Sequence, residues 1–218
     1  MTPRGSTSTS LASSANPSVP GQSVTFTATV AGTGLNGAVR FQEDATPLAG
    51  CADVPLAGSH AQCVSSALAL GSHSLTALYY GDALNADSLS AVLMQEVNSP
   101  SLDVDASVAV TRYDALTDGL LVIRYLFGLT GAALTAGAVG PTATRTAPAA
   151  ISAYLDAIRP LLDIDGNGNA DALTDGLLII RYLFGLRGDA LIAGALDPSA
   201  TRTTGDAIAD AIESLLLP

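Results

Sequence analysis

The feature of this sequence that most limits its fold is an internal repeat in its second half. Residues 114–129 (DALTDGLLVIRYLFGL) recur at 171–186 with one valine-to-isoleucine change in sixteen positions. The likeness extends further, because AGAVGPTATRT at 136–146 corresponds to AGALDPSATRT at 193–203. Such a repeat indicates two copies of one supersecondary unit that bury their apolar faces against each other. Each copy is predicted to consist of a loop, a helix, a second loop and a second helix.

The first helix of each copy is predicted to begin near Thr117 or Thr174 and to end at Phe127 or Phe184. It is apolar on nearly all sides apart from an Arg-Tyr pair, so we expect it to lie between other elements. A glycine follows each helix in the position where a left-handed residue ends many helices, Gly128 and Gly185.

The second helix of each copy is predicted to begin at an N-cap threonine, Thr146 or Thr203. Apolar residues at three- and four-residue spacing follow, which is the pattern of an amphipathic helix. They are Ile151, Leu155, Ile158 and Leu162 in one copy and Ile208, Ile212 and Leu215 in the other. We expect the two copies to pack face to face, with pseudo-twofold symmetry, as an all-α module.

Oxygen-bearing side chains alternate along the loop before the second copy of the first helix. They are Asp163, Asp165, Asn167, Asn169 and Asp171, with glycines at 166 and 168 and a last carboxylate, Asp175. Calcium takes six to eight oxygens from a sharply turning backbone. A solvated turn also uses Asp and Asn, but it needs only one or two. The loop therefore predicts a calcium site.

Position along the loop suggests a role for each of these residues. Asp163, Asp165 and Asn167 are expected to bind through their side chains, and Asn169 through its backbone carbonyl. Asp171 is expected to bind directly or through water, and Asp175 to close the site, with one or both oxygens.

The corresponding loop of the first copy is longer by three residues and has lost the glycines and asparagines. Four acids remain, Asp103, Asp105, Asp114 and Asp118. Two interpretations stay open. The acids form a second calcium site with the help of carbonyls and Ser107, or the loop is degenerate and its acids cap helices.

Residues 1–99 have the pattern of a β-sandwich. Apolar and polar residues alternate in short segments that are separated by turn signals every eight to twelve residues. The predicted strands are Gln22–Val30, Ala38–Glu43, Thr46–Ala49, Ala52–Leu56, Ala61–Ser66, Ser74–Tyr80 and Ser88–Val97.

The chain has two cysteines and two histidines. Cys51 and Cys63 either form a disulfide or are two reduced thiols in the core. An isolated pair among short strands favours the disulfide, and with it an oxidising compartment. A zinc site would need a second ligand pair, which the sequence lacks. His60 and His73 have no catalytic partners in the sequence, so they are predicted to be structural or surface residues.

Charge and hydropathy exclude several function classes. The net charge is −11 with no lysine, which argues against nucleic acid and anionic membranes as partners and favours cation binding. Apolar runs are far too short for membrane insertion. The first residues lack an apolar signal-peptide core, so an exported protein would be expected to have a longer precursor.

Three segments of the first half resemble a known family. PSVPGQSVTFTATV at 17–30, GAVRF at 37–41 and LGSHSLTALYYGD at 70–82 resemble the bacterial Ig-like repeat of large surface proteins, over residues 6–98. The resemblance implies an Ig-like sandwich that spaces or adheres, without catalysis.

The second half resembles the type I dockerin repeat, in which a calcium loop leads into a helix with Arg-Tyr-Leu-x-Gly. The likeness lies in an aspartate followed by this motif in each copy: Asp118 with Arg124-Tyr-Leu-Phe-Gly128, and Asp175 with Arg181-Tyr-Leu-Phe-Gly185. It implies an all-α, dockerin-like domain at 100–218, with EF-hand-like loop-helix repeats at 101–162 and 163–218 and a protein partner similar to cohesin. The sequence departs from the pattern in two ways: the closing acid stands at position thirteen instead of twelve, and the repeat is about twice the usual length.

These features predict a non-catalytic, calcium-binding pair of modules, Ig-like and dockerin-like, from the C-terminal part of a larger bacterial secreted or cell-surface protein. Adhesion, spacing or protein docking is the expected role. The alternative is a self-assembling surface fibre or layer subunit, joined through Ig edge strands, in which residues 5–14 pair in cis or in trans. An enzyme such as a glycoside hydrolase is disfavoured, because the calcium pattern uses the acids and the chain has no Trp for a sugar platform.

Overall fold

The computed structural model describes residues 3–107 and 112–216. The chain forms two compact units, Met1–Asn98 and Ser99–Pro218. The first is built of strands and the second of helices. None of the described helices is long and apolar enough to cross a membrane.

The first unit consists of two antiparallel sheets. Strands β1 (Ser8–Ser13), β2 (Val24–Ala31) and β6 (His60–Ser65) form one sheet in the order β1-β2-β6. The strands of the other sheet are β3 (Ala38–Glu43), β4 (Thr46–Pro47), β5 (Val54–Pro55), β7 (Gly71–Tyr79), β8 (Ser88–Leu89) and β9 (Leu93–Val97). Their order is β4-β3-β7-β8, and β5 pairs with β3 and β9 with β7. The N-terminal Ser/Thr-rich segment pairs in cis, because β1 lies against β2 of the same chain.

Alternation along each strand produces the core of this unit. In β2 every second side chain is buried from Val24 to Val30, and the threonines between them lie toward the other face. Phe26 of β2, Phe41 of β3 and Tyr79 of β7 are almost completely buried in the shared core. The period of two thus puts the apolar face of each sheet against the other.

A disulfide joins Cys51, in the loop between β4 and β5, to Cys63 on β6, with 5.7 Å between the Cα atoms. The sequence-based preference for a disulfide is therefore confirmed. The bond connects the two sheets, because Cys63 belongs to the β1-β2-β6 sheet and the peptide N–H of Phe41 on β3 donates to the carbonyl of Cys51.

The closing strand predicted for Ser88–Val97 is interrupted in the structure. β8 ends at Leu89 and β9 begins at Leu93. The hydroxyl of Ser90, buried in the break, accepts the peptide N–H of Ala77 at 3.0 Å. A continuous strand would place Leu89 and Gln95 on the same face. Because of the break they differ: Leu89 is exposed whereas Gln95 is buried.

The second unit contains two copies of a three-helix arrangement. In the first copy, a π-helical turn at Ala115–Gly119 leads into α1 (Leu120–Leu126), followed by α2 (Gly131–Thr135) and α3 (Pro148–Ile158), which ends in a 3-10 turn at Arg159–Leu162. In the second copy the π-helical turn is Ala172–Gly176 and the helices are α4 (Leu177–Leu183), α5 (Asp189–Ile192) and α6 (Gly205–Glu213).

Within each copy the Arg-Tyr pair of the first helix binds the other helices. The guanidinium of Arg181 donates to the carbonyls of Leu191 and Ala193, at 3.1 and 2.9 Å, at the end of α5. The hydroxyl of Tyr182 donates to the carboxylate of Glu213, at 2.6 Å, on α6. Arg124 and Tyr125 make the same contacts in the first copy, to Leu134, Ala136 and Asp156.

Several predicted details of the helices were wrong. The segments of α2 and α5 were expected to be loop. The N-cap of α3 is Ala147, followed by Pro148, and the N-cap of α6 is Thr204, so Thr146 and Thr203 each lie one residue too early. The first helices are also less enclosed than expected, because Phe127 and Phe184 at their ends are exposed.

Candidate metal centre

The π-helical turn at Ala172–Gly176 explains the extra residue between Asp163 and Asp175. The peptide N–H of Gly176 donates to the carbonyl of Asp171, five residues earlier, at 2.9 Å. A π-turn contains one residue more than an α-turn. The additional residue therefore lies in the helix start, and the carboxylate of Asp175 still points back into the loop.

Asp175 holds the two ends of the loop together. One carboxylate oxygen accepts the peptide N–H groups of Ile164 and Asp165, at 2.7 and 3.0 Å. The other accepts the peptide N–H of Asp171 at 2.8 Å and the hydroxyl of Thr174 at 3.1 Å. Its side chain is completely buried as a result.

Asp163, Asp165 and Asp175 form the second acidic cluster, in which one oxygen of each lies within 4.8 Å of the others. Asp163 accepts the peptide N–H groups of Gly166, Asn167 and Gly168 at 2.9 to 3.0 Å, so the loop wraps around this side chain. Gly166 and Gly168 have φ values of 75° and 93°, which allow that wrapping because a glycine has no Cβ.

The repeated Ala-Thr-Arg-Thr segment forms the outer wall of the second cluster. The guanidinium of Arg202 donates to the carbonyls of Ile164 and Asp163, at 2.6 and 2.7 Å. The peptide N–H of Asp197 donates to a carboxylate oxygen of Asp165 at 2.9 Å. Since Arg202 binds carbonyls, its charge is not paired with a carboxylate of the cluster.

The first acidic cluster consists of Asp103, Asp105 and Asp118 and has the same arrangement. Asp118 accepts the peptide N–H groups of Val104 and Asp114, at 2.7 and 3.0 Å. Asp105 accepts the hydroxyl of Ser107 and, at 2.7 Å, the peptide N–H of Gly140. Arg145 donates to the carbonyls of Asp103 and Val104, as Arg202 does in the other copy.

One contact distinguishes the first cluster from the second. The guanidinium of Arg112 lies 3.3 Å from a carboxylate oxygen of Asp103. Within the described residues, no ion pair involves a carboxylate of the second cluster. A cation that binds the first cluster must therefore compete with a partly exposed arginine.

Burial and crowding raise the pKa values of carboxyl groups in both clusters. Burial raises the pKa of Asp118 to about 7, and the nearby charge of Asp105 adds to the effect. Burial also raises the pKa values of Asp103 and Asp175. Negative charges placed this close in a buried site cost free energy unless a cation or protons neutralise them.

Of the other predicted acidic ligands, Asp114 and Asp171 do not belong to either cluster. Asn169 and Asp171 are exposed and line a cavity of about 410 Å³ together with Asp163 and Arg159. The side chain of Asn167 accepts the peptide N–H of Asn169 at 2.7 Å. Asp114 accepts the peptide N–H of Leu116 at 2.7 Å, so it caps the first π-helical turn.

Sequence reasoning missed Arg145 and Arg202, and the amides of Gly140 and Asp197. The signal for them was the close similarity of residues 136–146 and 193–203. The structure shows why both copies keep it: this segment binds the back of the acidic loop.

The donor set fits a hard divalent cation. Each cluster offers three carboxylates, two of them completely buried, on a backbone that turns tightly around them. Oxygens of Asp165 and Asp105 accept a single donor each and so retain a further lone pair. Both oxygens of Asp175 and of Asp118 already accept two donors each, so these two carboxylates contribute mainly negative charge beside the site. Calcium prefers oxygen ligands of this kind in flexible loops.

Comparison with known families identifies the first unit. Residues 11–98 match the model of the bacterial Ig-like domain (group 3) family. The sandwich is therefore a bacterial Ig-like domain, as its resemblance implied. No dockerin family match accompanies it. Searches of curated proteins and of solved structures gave no match.

Proposed function

We propose that this protein is a non-catalytic pair of extracellular modules, in which calcium folds the helical unit and the Ig-like domain serves as a spacer or adhesive unit. The observation that carries the proposal is the second cluster, where Asp165 and Asp175 are completely buried beside Asp163 and, among the described residues, no arginine forms an ion pair with any of the three. Calcium would neutralise that charge and fix the loop from which α4 begins.

The finer, dockerin-like character of the helical unit is part of this proposal. It is supported by the duplicated loop-helix unit and by the position of Asp118 and Asp175 at the helix starts. In that role the helical unit would attach its parent protein to another protein, cohesin-like or of another kind. An extracellular site of action is supported by the Cys51–Cys63 disulfide and by the Ig-like family.

The test is thermal unfolding of the whole protein in excess calcium and in excess chelator. A ligand that binds only the folded state stabilises it by RT ln(1+[L]/Kd), about 2.7 kcal/mol at one hundred times Kd. We expect chelation to lower the melting temperature of the helical unit and to leave the Ig-like domain nearly unchanged. Hydrogen exchange, read separately over 8–97 and 115–213, assigns each transition to its unit.

The variant that isolates the second cluster is Asp175→Asn. Asparagine keeps the shape of the side chain but removes the charge and one acceptor, so calorimetry should count one calcium ion fewer per chain. Asp189→Asn is the matched control, because Asp189 is an exposed acid at the start of α5. A chelator-independent melting curve, or an undiminished calcium count in Asp175→Asn, would contradict the proposal.

A further inference from the structure

A groove of about 570 Å³ runs beside helix α6 in the second repeat. One wall is the face of α6 that carries Ala207, Ala211 and Leu215. Leu161 and Arg202 also line the groove. Its size lies within the range of pockets that bind small ligands.

The internal repeat shows what occupies the equivalent place in the first copy. The 57-residue offset that relates the copies puts Tyr154 at the position of Ala211, and Arg145 at that of Arg202. The ring of Tyr154 is buried, and the guanidinium carbon of Arg145 lies 3.8 Å from its centroid. The tyrosine hydroxyl donates to the carbonyl of Ser101 at 2.7 Å and accepts its peptide N–H at 3.0 Å.

The two arginines are structurally equivalent, because both donate to the carbonyls of the first two residues of their acidic loop. Their surroundings differ in one respect. Among the residues that the structure describes, no aromatic ring lies over Arg202, since Ala211 replaces the tyrosine. The second copy thus has the arginine, Arg202, but no tyrosine ring beside it.

We propose that the groove formed by Leu161, Arg202, Ala207 and Ala211 receives a tyrosine side chain of a partner polypeptide. A guanidinium attracts the face of an aromatic ring, and the apolar wall of α6 buries the ring on its other side. Asp210 also lines the groove, and its negative charge would repel a phosphorylated tyrosine or another anionic ligand. The inference rests on the docking part of the proposed function and names the chemistry of the partner.

The probe is the tripeptide Gly-Tyr-Gly, titrated in the presence of calcium into the ¹⁵N-labelled whole protein. We expect saturable chemical-shift changes at Arg202 and along 207–215, and none with Gly-Ala-Gly. The variant Ala211→Tyr should fill the groove from within, as Tyr154 does in the first copy, and weaken binding at least tenfold. Ala153→Tyr is the matched control, because it adds a tyrosine at an exposed position of α3, and its affinity should equal that of the wild type.

Three results would overturn the inference: no saturable shift up to the solubility limit of the peptide, undiminished binding by Ala211→Tyr, or equally tight binding of Gly-Leu-Gly. If Ala211→Tyr does not fold, Ala207→Leu narrows the same groove and should weaken binding at least threefold. Calcium binding is measured on the same samples. Loss of peptide binding with calcium binding intact overturns this inference alone, whereas peptide binding without any calcium binding overturns the calcium proposal alone.

Discussion

Gly176 lies directly against Ile123, the residue at which the first helices of the two repeats cross. A Cβ atom on Gly176 would lie 3.1 Å from Cγ1 of Ile123 and 3.4 Å from its Cα. The reciprocal contact is nearly identical, because a Cβ on Gly119 would lie 3.1 Å from Cγ1 of Ile180 and 3.5 Å from its Cα. The two copies are therefore packed about a pseudo-twofold axis that passes between these glycines.

The variant Gly176→Ala is expected to destabilise the helical unit. Alanine favours a helix over glycine by about 1 kcal/mol, but overpacking a tight contact costs about 1–3 kcal/mol. We expect a net loss of roughly 1 kcal/mol in the free energy of unfolding, measured by urea titration.

A double-mutant cycle separates these two effects. In an Ile123→Ala background the closest contact, to Cγ1 of Ile123, is removed, whereas Cδ1 of Leu126 at 3.3 Å remains. Gly176→Ala should therefore be less destabilising in that background than in the wild type, by up to about 1 kcal/mol. Equal effects of Gly176→Ala in both backgrounds would show that the glycine is not required for the crossing.

The repeat, the acidic loops and the buried apolar stripes of the helices could be predicted from the sequence, because they depend on periodicity and on residue type. Ile151, Leu155, Ile158 and Leu162 are all buried, as their spacing predicted. The helices α2 and α5 were missed because each has only four or five residues, too few to show a period. Nor does the sequence reveal whether the extra residue before Asp175 extends the loop or the helix start, since the choice depends on a single backbone hydrogen bond to Gly176.

Asp118 is expected to make the calcium-free protein sensitive to pH. Its pKa is about 7 in the folded state, whereas a carboxyl group in the unfolded chain keeps its ordinary value of 3.8. Between these values the folded state binds more protons, so stability is greatest at low pH and falls as the pH rises through 7. The whole change between pH 3.8 and pH 7 amounts to up to roughly 4 kcal/mol, of which about 3 kcal/mol lies above pH 5.

The measurement is urea unfolding of the chelated protein at pH 5 and pH 8, followed by hydrogen exchange in α1 and α4. Asp118→Asn is the control, since it removes the titrating group and should flatten the dependence. Calcium must displace the same proton, so its apparent affinity should increase between pH 6 and pH 8. A wild-type protein whose helical unit is as stable at pH 8 as at pH 5 without calcium would contradict the assignment.

Arg112 is expected to weaken calcium binding at the first cluster. Its guanidinium is partly exposed and 3.3 Å from Asp103, so the pair itself contributes only about 0–1 kcal/mol. Replacing it by glutamine removes both the competing partner and a positive charge next to the cation. Arg112→Gln should therefore tighten binding at the first cluster about two- to fivefold and leave the second unchanged.

Calorimetry in an Asp175→Asn background observes the first cluster alone and gives this affinity directly. Arg187→Gln is the comparison variant, because Arg187 lies over the ring of Tyr182, 3.5 Å from its centroid, and donates to backbone carbonyls. If Arg112→Gln weakens calcium binding, the arginine orients Asp103 instead of competing with the cation.

The Cys51–Cys63 bond is expected to stabilise the Ig-like domain without affecting the helical unit. It closes a loop over a sequence separation of 12 residues, and such a loop corresponds to about 3 kcal/mol in the chain-entropy description. The double variant Cys51→Ala/Cys63→Ala leaves no free thiol and should lower the melting temperature of the β-sandwich. Because the two units have separate cores, calcium binding and the melting of α1–α6 should stay as in the wild type. A common loss of stability in both units would instead mean that the Ig-like domain stabilises the helical unit.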